Sequence, residues 1–246
     1  MFERKTSAAT ATAVSAKPRT VFIAGTDTGV GKTLVSAGIL QAANAASLTT
    51  IGLKPVAAGC DETEQGLRND DALLLQKFSS LALPYEQVNP VALKLAVAPH
   101  IAAEQEGRRI DIARVEGMCR GVMMRRAGLT VIEGAGGWRV PINSRQFLSG
   151  LAKVLEIPTI LVVGIRLGCI NHALLTAQAI HLDGVRLAGW IANVVDPDMA
   201  FVDANIEAIE SRLHAPCLAR IPYLTASAGR VESVAQLIDI GALLRA

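Results

Sequence analysis

The stretch Gly25-Thr26-Asp27-Thr28-Gly29-Val30-Gly31-Lys32-Thr33 constrains this chain more than any other, because it joins two segments of different periodicity. Before it, Val21-Phe22-Ile23-Ala24 is an apolar run of strand length; after it, Leu34 to Ala46 carries apolar residues at helical spacing. A strand that passes through small residues straight into a helix turns successive backbone N–H groups toward one point, and the helix N-terminus adds partial positive charge there. Such a loop is a phosphate cradle, in which Lys32 reaches the outer phosphates of a nucleotide and Thr33 offers its hydroxyl to magnesium. The pattern departs from G-x-x-x-x-G-K-[ST] at one place: Thr26 stands where the first glycine belongs, and Gly25 lies one residue earlier.

With 246 residues, 51% of them hydrophobic, the chain has ample material for one α/β domain. The net charge of +2, with acids and bases interleaved, excludes a nucleic-acid stripe and points to a small anionic partner. Cys60, Cys119, Cys169 and Cys217 are far apart and show neither metal-ligand spacing nor a disulfide framework, which suits a reducing cytoplasm. Residues 1–19 have no apolar core of a secretory signal and read as a disordered tail before a domain over 20–246. No apolar run reaches membrane-spanning length.

Along the chain, strands and helices alternate. Thr49 to Lys54 reads as a second strand that Pro55 stops, leaving Lys54 at its carboxyl end, where ligands sit in open α/β sheets. A helix follows Asn69-Asp70-Asp71 and runs to Phe78; either aspartate also suits a helix cap. His100, just after Pro99, fits a helix start as well as a chemical role. Ile110 to Ala127 has helical spacing, and Leu129 to Ile132 is a buried strand that delivers Glu133 before Gly134-Ala135-Gly136-Gly137-Trp138. A carboxylate at the tip of a neighbouring strand suits magnesium, which takes few protein oxygens and keeps its waters, and the glycines let a backbone approach a ligand. Further on come helices at Phe147–Leu155, Asn171–Leu182 and Phe201–Leu213, strands at Thr159–Val163, Leu187–Val194 and Cys217–Ile221, and a closing helix over Val231–Leu244. Asn171 fits a helix cap or the edge of an anion site, and Asn193 fits a turn or the reading of a base edge. The alternation implies a mainly parallel sheet of about seven strands with helices on both faces, a single-domain P-loop NTPase-like fold.

Taken together, GTDTGVGKT (25–33), KPVAAG (54–59), LRNDDALLLQ (67–76), Pro99-His100, EGAGGW (133–138), VVGIRLGCINHALLTAQ (162–178) and GWIANVV (189–195) resemble dethiobiotin synthetase, the biotin-pathway ligase. The resemblance implies ring closure of 7,8-diaminopelargonic acid with CO2 and ATP to give dethiobiotin, ADP and phosphate, through a carbamate and a carbamic-phosphoric anhydride. It implies that Lys32 and Thr28 contact phosphate and carbamate oxygens, and that Thr33, Asp71 and Glu133 hold Mg2+. Lys54 would stabilise the carbamate. Thr26, Asp27, Gly29, Val30, Gly31, Lys32 and Thr33 would cradle ATP, with Asn193 reading adenine. The family is a homodimer whose substrate lies at the subunit interface; here Lys54 and Gly136 would bind substrate in one subunit and Gly168, Cys169, Ile170 and Asn171 would hold its carboxylate from the other. Gly29 replaces a glutamate and Ala58 a serine of the family member compared, and the N-terminus is longer. The lost hydroxyl at Ala58 removes one hydrogen bond to substrate, about 1 kcal/mol.

A regulatory ATPase switch of the partition or septum-positioning type shares the variant loop but resembles KGGxGKT, with lysine where this chain has Asp27. The synthetase domain of a cobyrinate-type amidotransferase looks similar around the loop but is joined to a glutaminase, and a small-molecule kinase would need no bicarbonate.

Overall fold

The computed structural model describes residues 19–225 and 229–245, so the expected tail over 1–19 lies outside the described residues except for Arg19, which opens the first strand. In chain order the elements are β1 (Arg19–Gly25), α1 (Lys32–Ala45), β2 (Thr50–Leu53), β3 (Val56–Ala57), β4 (Asp61–Thr63), β5 (Gly66–Arg68), α2 (Asp70–Phe78), α3 (Tyr85–Val88), β6 (Val91–Ala92), α4 (Pro99–Gln105), α5 (Ile112–Met123), β7 (Leu129–Gly137), α6 (Gly150–Leu155), β8 (Thr159–Ile165), α7 (Cys169–Leu182), β9 (Leu187–Val194), α8 (Val202–Glu210), β10 (Cys217–Ile221), α9 (Arg230–Leu237) and α10 (Ile240–Arg245).

Six strands pair in the main sheet, against about seven expected, in the order β10-β9-β8-β1-β7-β2, and every pairing is parallel; Val91–Ala92 forms a strand that pairs with β3 outside this sheet. Two small ribbons, β3 with β6 and β4 with β5, stand beside it. Alternation along β1 splits the core: Val21 and Ile23 face α1, α2, α9 and α10, while Phe22 and Ala24 face the side covered by α5, α6, α7 and α8. Both faces are therefore buried, which is why β8 reads as an unbroken apolar run.

Several boundaries differ from the sequence reading for local reasons. Asp111 caps α5 by accepting from Ala113 N at 2.9 Å, so this helix starts at Ile112. Phe147 pairs with Pro141 in an isolated bridge, and α6 begins only at Gly150. The expected C-terminal helix is two, because Ile238 is extended and Asp239 restarts the chain by accepting from Ala242 N. Among the described residues no helix is long and apolar enough to cross a membrane.

Register positions the site. Leu53 lies opposite Ile132, so Lys54, just past the end of β2, comes beside Glu133. Glu133 is not at the strand tip expected from the sequence but stays in the sheet opposite Ile23, because β7 runs on through the glycines to Gly137. Gly25 is opposite Val162 and Gly164 opposite Asn193, which gathers the remaining strand tips at the same edge.

Candidate active site

A cleft of about 1050 Å³ runs along these strand tips. It is lined by Thr28, Gly29, Gly31, Lys32 and Thr33 of the loop and α1, by Asn193 to Val195, Tyr223 and Arg230, and by Ala58, Val97, Pro99, Gly136 and Arg139.

The loop explains its own variant spelling. Lys32 folds back so that its Nζ donates to the Asp27 carbonyl at 2.9 Å, passing directly over the Gly25 backbone. A Cβ on Gly25 would stand 2.9 Å from that ammonium and 2.8 Å from Val30 Cγ2, so the glycine is needed at position 25 rather than 26. Thr26 instead uses its hydroxyl, accepting from Gly164 N at 3.4 Å. Asp27 is held twice: Oδ1 accepts from Thr28 N and Oδ2 pairs with Arg166, both at 2.7 Å. Gly31, the N-cap of α1, has φ +86°, and a side chain there would overlap the Asn193 amide. That amide donates to the Val30 carbonyl at 2.8 Å, so buried Asn193 clamps the loop from β9 rather than sitting in a turn.

Four charged side chains converge beyond the loop. Lys54 Nζ donates to Glu133 Oε1 at 2.6 Å, to Asp71 Oδ2 at 2.8 Å and to the Gly134 carbonyl at 3.2 Å. The Thr33 hydroxyl donates to the same Glu133 Oε1 at 2.8 Å. Burial is the largest influence on Lys54 and pushes its pKa down, but the Glu133 and Asp71 carboxylates beside it outweigh burial and hold it above the ordinary lysine value. Burial likewise pushes Asp71 up, and the Lys54 and Lys32 ammonium groups reverse it, keeping the carboxyl below its usual range. Lys32 behaves differently: burial, reinforced by the Lys54 charge, lowers it from 10.5 to about 8. Asn69, not an aspartate, caps α2 by accepting from Ala72 N at 3.2 Å, which leaves Asp71 for Lys54.

Thr33, Asp71 and Glu133 thus meet in one place, and the buried Glu133 Oε2 has no hydrogen-bond partner. Among the described residues no group of three His, Cys, Asp or Glu side chains could hold a metal alone. A hydroxyl and two carboxylates, one with a spare buried oxygen, fit magnesium that completes its shell with water and phosphate oxygens.

Gly136 has φ +58°, and a Cβ there would press on Val140 and approach the Thr28 hydroxyl to 3.3 Å, so the absence of a side chain keeps this wall open. Gly168, Cys169, Ile170 and Asn171 lie off the cleft. Gly168 is the N-cap of α7 at φ +92° without a side-chain cap, and Asn171 is exposed within the first turn. His100 enters the first turn of α4, and its Nδ1 is buried without a partner. Sequence reasoning missed Arg166, Tyr85 and Asn89, each of which acts by hydrogen bonds to distant segments that no spacing announces.

Sheet, loop and charge cluster define a nucleotide-binding α/β protein of the phosphate-loop class. A family model described as an AAA domain matches residues 19–230. The chain is 55% identical to an ATP-dependent dethiobiotin synthetase, BioD, of Cellvibrio japonicus (strain Ueda107), over 92% of this chain and 97% of that protein. It is 52% identical to BioD of Vibrio cholerae serotype O1 (strain ATCC 39315 / El Tor Inaba N16961) over 83% and 88% respectively. The chain belongs to the ATP-dependent dethiobiotin synthetase family. Among solved structures, the MinC:MinD cell division protein complex of Aquifex aeolicus aligns with TM-score 0.58 at 16% identity, covering 92% of this chain and 94% of that one. A ParA family ATPase from Chlorobium tepidum TLS aligns with TM-score 0.53 at 13% identity, covering 92% of each. At these identities the likeness describes the fold alone.

Proposed function

We propose that this protein closes the ureido ring of dethiobiotin from 7,8-diaminopelargonic acid, CO2 and ATP, releasing ADP and phosphate, as a cytoplasmic homodimer. The observation that carries the reading is the buried Lys54, paired to two carboxylates beside the phosphate loop and facing a cleft large enough for nucleotide and substrate together.

A neutral amine of the substrate adds to CO2 and becomes a carbamate. That anion attacks the γ-phosphorus of a polyphosphate that is already strongly negative, so charge repulsion is the main obstacle. Lys32 and Lys54 offset it with fixed positive charge in a site largely shielded from water. The loop N–H groups and Thr28 orient the phosphates, and Asn193 keeps the loop in shape from below. Thr33, Asp71 and Glu133 would hold magnesium, which supplies charge neutralisation and a template for the phosphate oxygens when bound. Lys54 then stabilises the anhydride oxygen. The second amine, on the adjacent carbon, attacks the carbonyl carbon and expels phosphate; tethering makes that step effectively concentrated, and no Ser or Cys nucleophile is called for. Gly136 would line the substrate side, and the α7 N-terminus at Gly168 to Asn171, which lies off its own cleft, would hold the substrate carboxylate of a neighbouring subunit.

Mixing protein, Mg-ATP and 7,8-diaminopelargonic acid in degassed buffer tests this. ADP release that depends on added bicarbonate, together with a product of dethiobiotin mass, is the expected result; diamine-independent ATP hydrolysis without ring product would sink the proposal.

A further inference from the structure

Lys54 and Asp71 come from different elements, the end of β2 and the first turn of α2, and the intervening chain wanders through β3 and the β4–β5 hairpin. At the far end of α2, Ser79 and Ser80 tie the helix to β2 by accepting from Gly52 N at 2.8 Å and Thr50 N at 2.7 Å. At the near end, beside the 2.8 Å contact of Lys54 and Asp71, a short relay from α3 makes the link. Tyr85 Oη accepts from the backbone N–H of Asn69 at 2.7 Å, at the N-cap of α2, and donates to Asn89 Oδ1 at 3.1 Å. Asn89 Nδ2 then donates to the Lys54 carbonyl at 2.6 Å, while Lys54 N donates to the Val88 carbonyl at 2.9 Å.

Chemistry dictates the direction of this relay. The Lys54 carbonyl is only an acceptor, so the Asn89 amide must turn its nitrogen to it and its oxygen to Tyr85, whose single proton is then spent on Asn89 and whose lone pair is left for Asn69. Each contact along the path thus sets one N–H or O–H against one oxygen, and reversal of the Asn89 amide would set two oxygens against each other. Tyr85 and Asn89 are buried, and the Arg68 guanidinium lies 4.2 Å from the centre of the Tyr85 ring. Burial pushes the phenol up, so its proton stays in place across the neutral range.

We propose that Tyr85 and Asn89 are positioning residues for the reaction: they join the β2 terminus to the α2 N-terminus and so hold the Lys54 ammonium and the Asp71 carboxylate at working separation. This rests on the roles given above to Lys54 and Asp71. Neither Tyr85 nor Asn89 lines the cleft, so both act through other groups.

Tyr85→Phe keeps the ring and removes the relay's central atom. Three measurements on the full chain decide: Mn2+ binding in the presence of ADP, followed by electron paramagnetic resonance; kcat; and KM for ATP. Partners one shell away from a metal ligand typically change affinity or rate by ten- to a hundredfold, so weaker Mn2+ binding and lower kcat, each by about tenfold, are expected, with KM for ATP within about twofold. Asn89→Ser moves the same quantities in the same direction. Ile209→Val, a core change in α8 away from the cleft, leaves them unaltered. Wild-type Mn2+ affinity and kcat in folded Tyr85→Phe would overturn the brace while leaving the proposed function intact, and so would equal losses in Ile209→Val. Turnover retained in Lys54→Ala and Asp71→Asn would instead remove the working pair, and the brace with it.

Discussion

Substituting Lys54 by methionine separates a buried ion pair from mere filling of space. Methionine is unbranched and of similar length, so packing is nearly conserved. The carboxylate of Glu133, with a side chain 0% exposed, would then lose its 2.6 Å counter-charge and keep only the Thr33 hydroxyl. Removing one member of a buried pair costs about 3–5 kcal/mol, a large share of a typical stability of about 5–15 kcal/mol. For a chain of this size that corresponds to a melting temperature lower by about 10 °C or somewhat more. Glu133→Gln is milder, about 1–3 kcal/mol, because Asp71 still faces Lys54 at 2.8 Å and the amide oxygen still accepts. Combining the two removes both charges, and the double variant should be more stable than the summed single losses by about 1–3 kcal/mol. Urea melts near neutral pH, read by the fluorescence of buried Trp138 and Trp190, measure all four corners of the cycle. A Lys54→Met protein as stable as wild type, or strictly additive losses, would refute the claim that charge pairing holds this cluster together.

Nucleotide binding should take up protons, because phosphate favours the charged form of a Lys32 whose resting pKa is about 8. Uptake from this group is about half a proton at pH 8 and approaches one near pH 9, with apparent affinity falling as pH rises; calorimetry in buffers of different ionisation heat reads it. In the unliganded protein the sign is opposite: between about 8 and 10.5 the unfolded chain binds more protons at Lys32, so this residue's share of stability grows as pH rises. Gly31→Ala should cost about 1–3 kcal/mol from φ +86° alone and loosen the Asn193 clamp; melts with and without ADP should show both lower stability and a smaller shift on binding. Ala58→Ser, which restores a hydroxyl to the cleft wall, should raise kcat/KM for the diamine by about fivefold, the equivalent of about 1 kcal/mol, and steady-state kinetics checks it.

Much of this architecture was legible before any coordinates. The phosphate loop, the strands of the main sheet and the placement of Lys54 just past a strand end follow from apolar runs punctuated by glycine and proline, signals that are local in the chain. Glu133, by contrast, lies inside β7, because the glycines after it extend that strand to Gly137 instead of ending it. Strand pairing then brings Thr33, Lys54 and Glu133 into contact without any further sequence signal. Legibility ends where a residue acts across the fold. The role of Asp71 was ambiguous because a cap and an ion-pair partner have the same spelling; only Asn69 taking the cap resolves it. Tyr85, Asn89 and Arg166 reach backbone or charge far away in sequence, and an isolated polar residue has no period to betray it. The β3–β6 and β4–β5 ribbons are too short for alternation to show, and the break at Ile238 is a single extended residue inside an otherwise helical pattern.

The helix that begins at Lys32 owes its seat to the far end of the chain. Val234 from α9, Ile238 from the break after it and Leu243 from α10 share one core with Val35 and Ile39, and the bare face of Gly38 admits the Val234 side chain. During synthesis the loop and helix emerge early, yet the surface that covers them is made some two hundred residues later, a wait of roughly 10 to 40 s at ordinary translation rates. Until then the part of α1 around Gly38 that receives Val234 is uncovered, although β1 and α2 already offer Ile23 and Leu75 to the same core, and a nascent chain on the ribosome carries the spelling of a nucleotide site without its full support. Competence to bind is in this sense a late acquisition: the first motif to be translated is among the last to be finished.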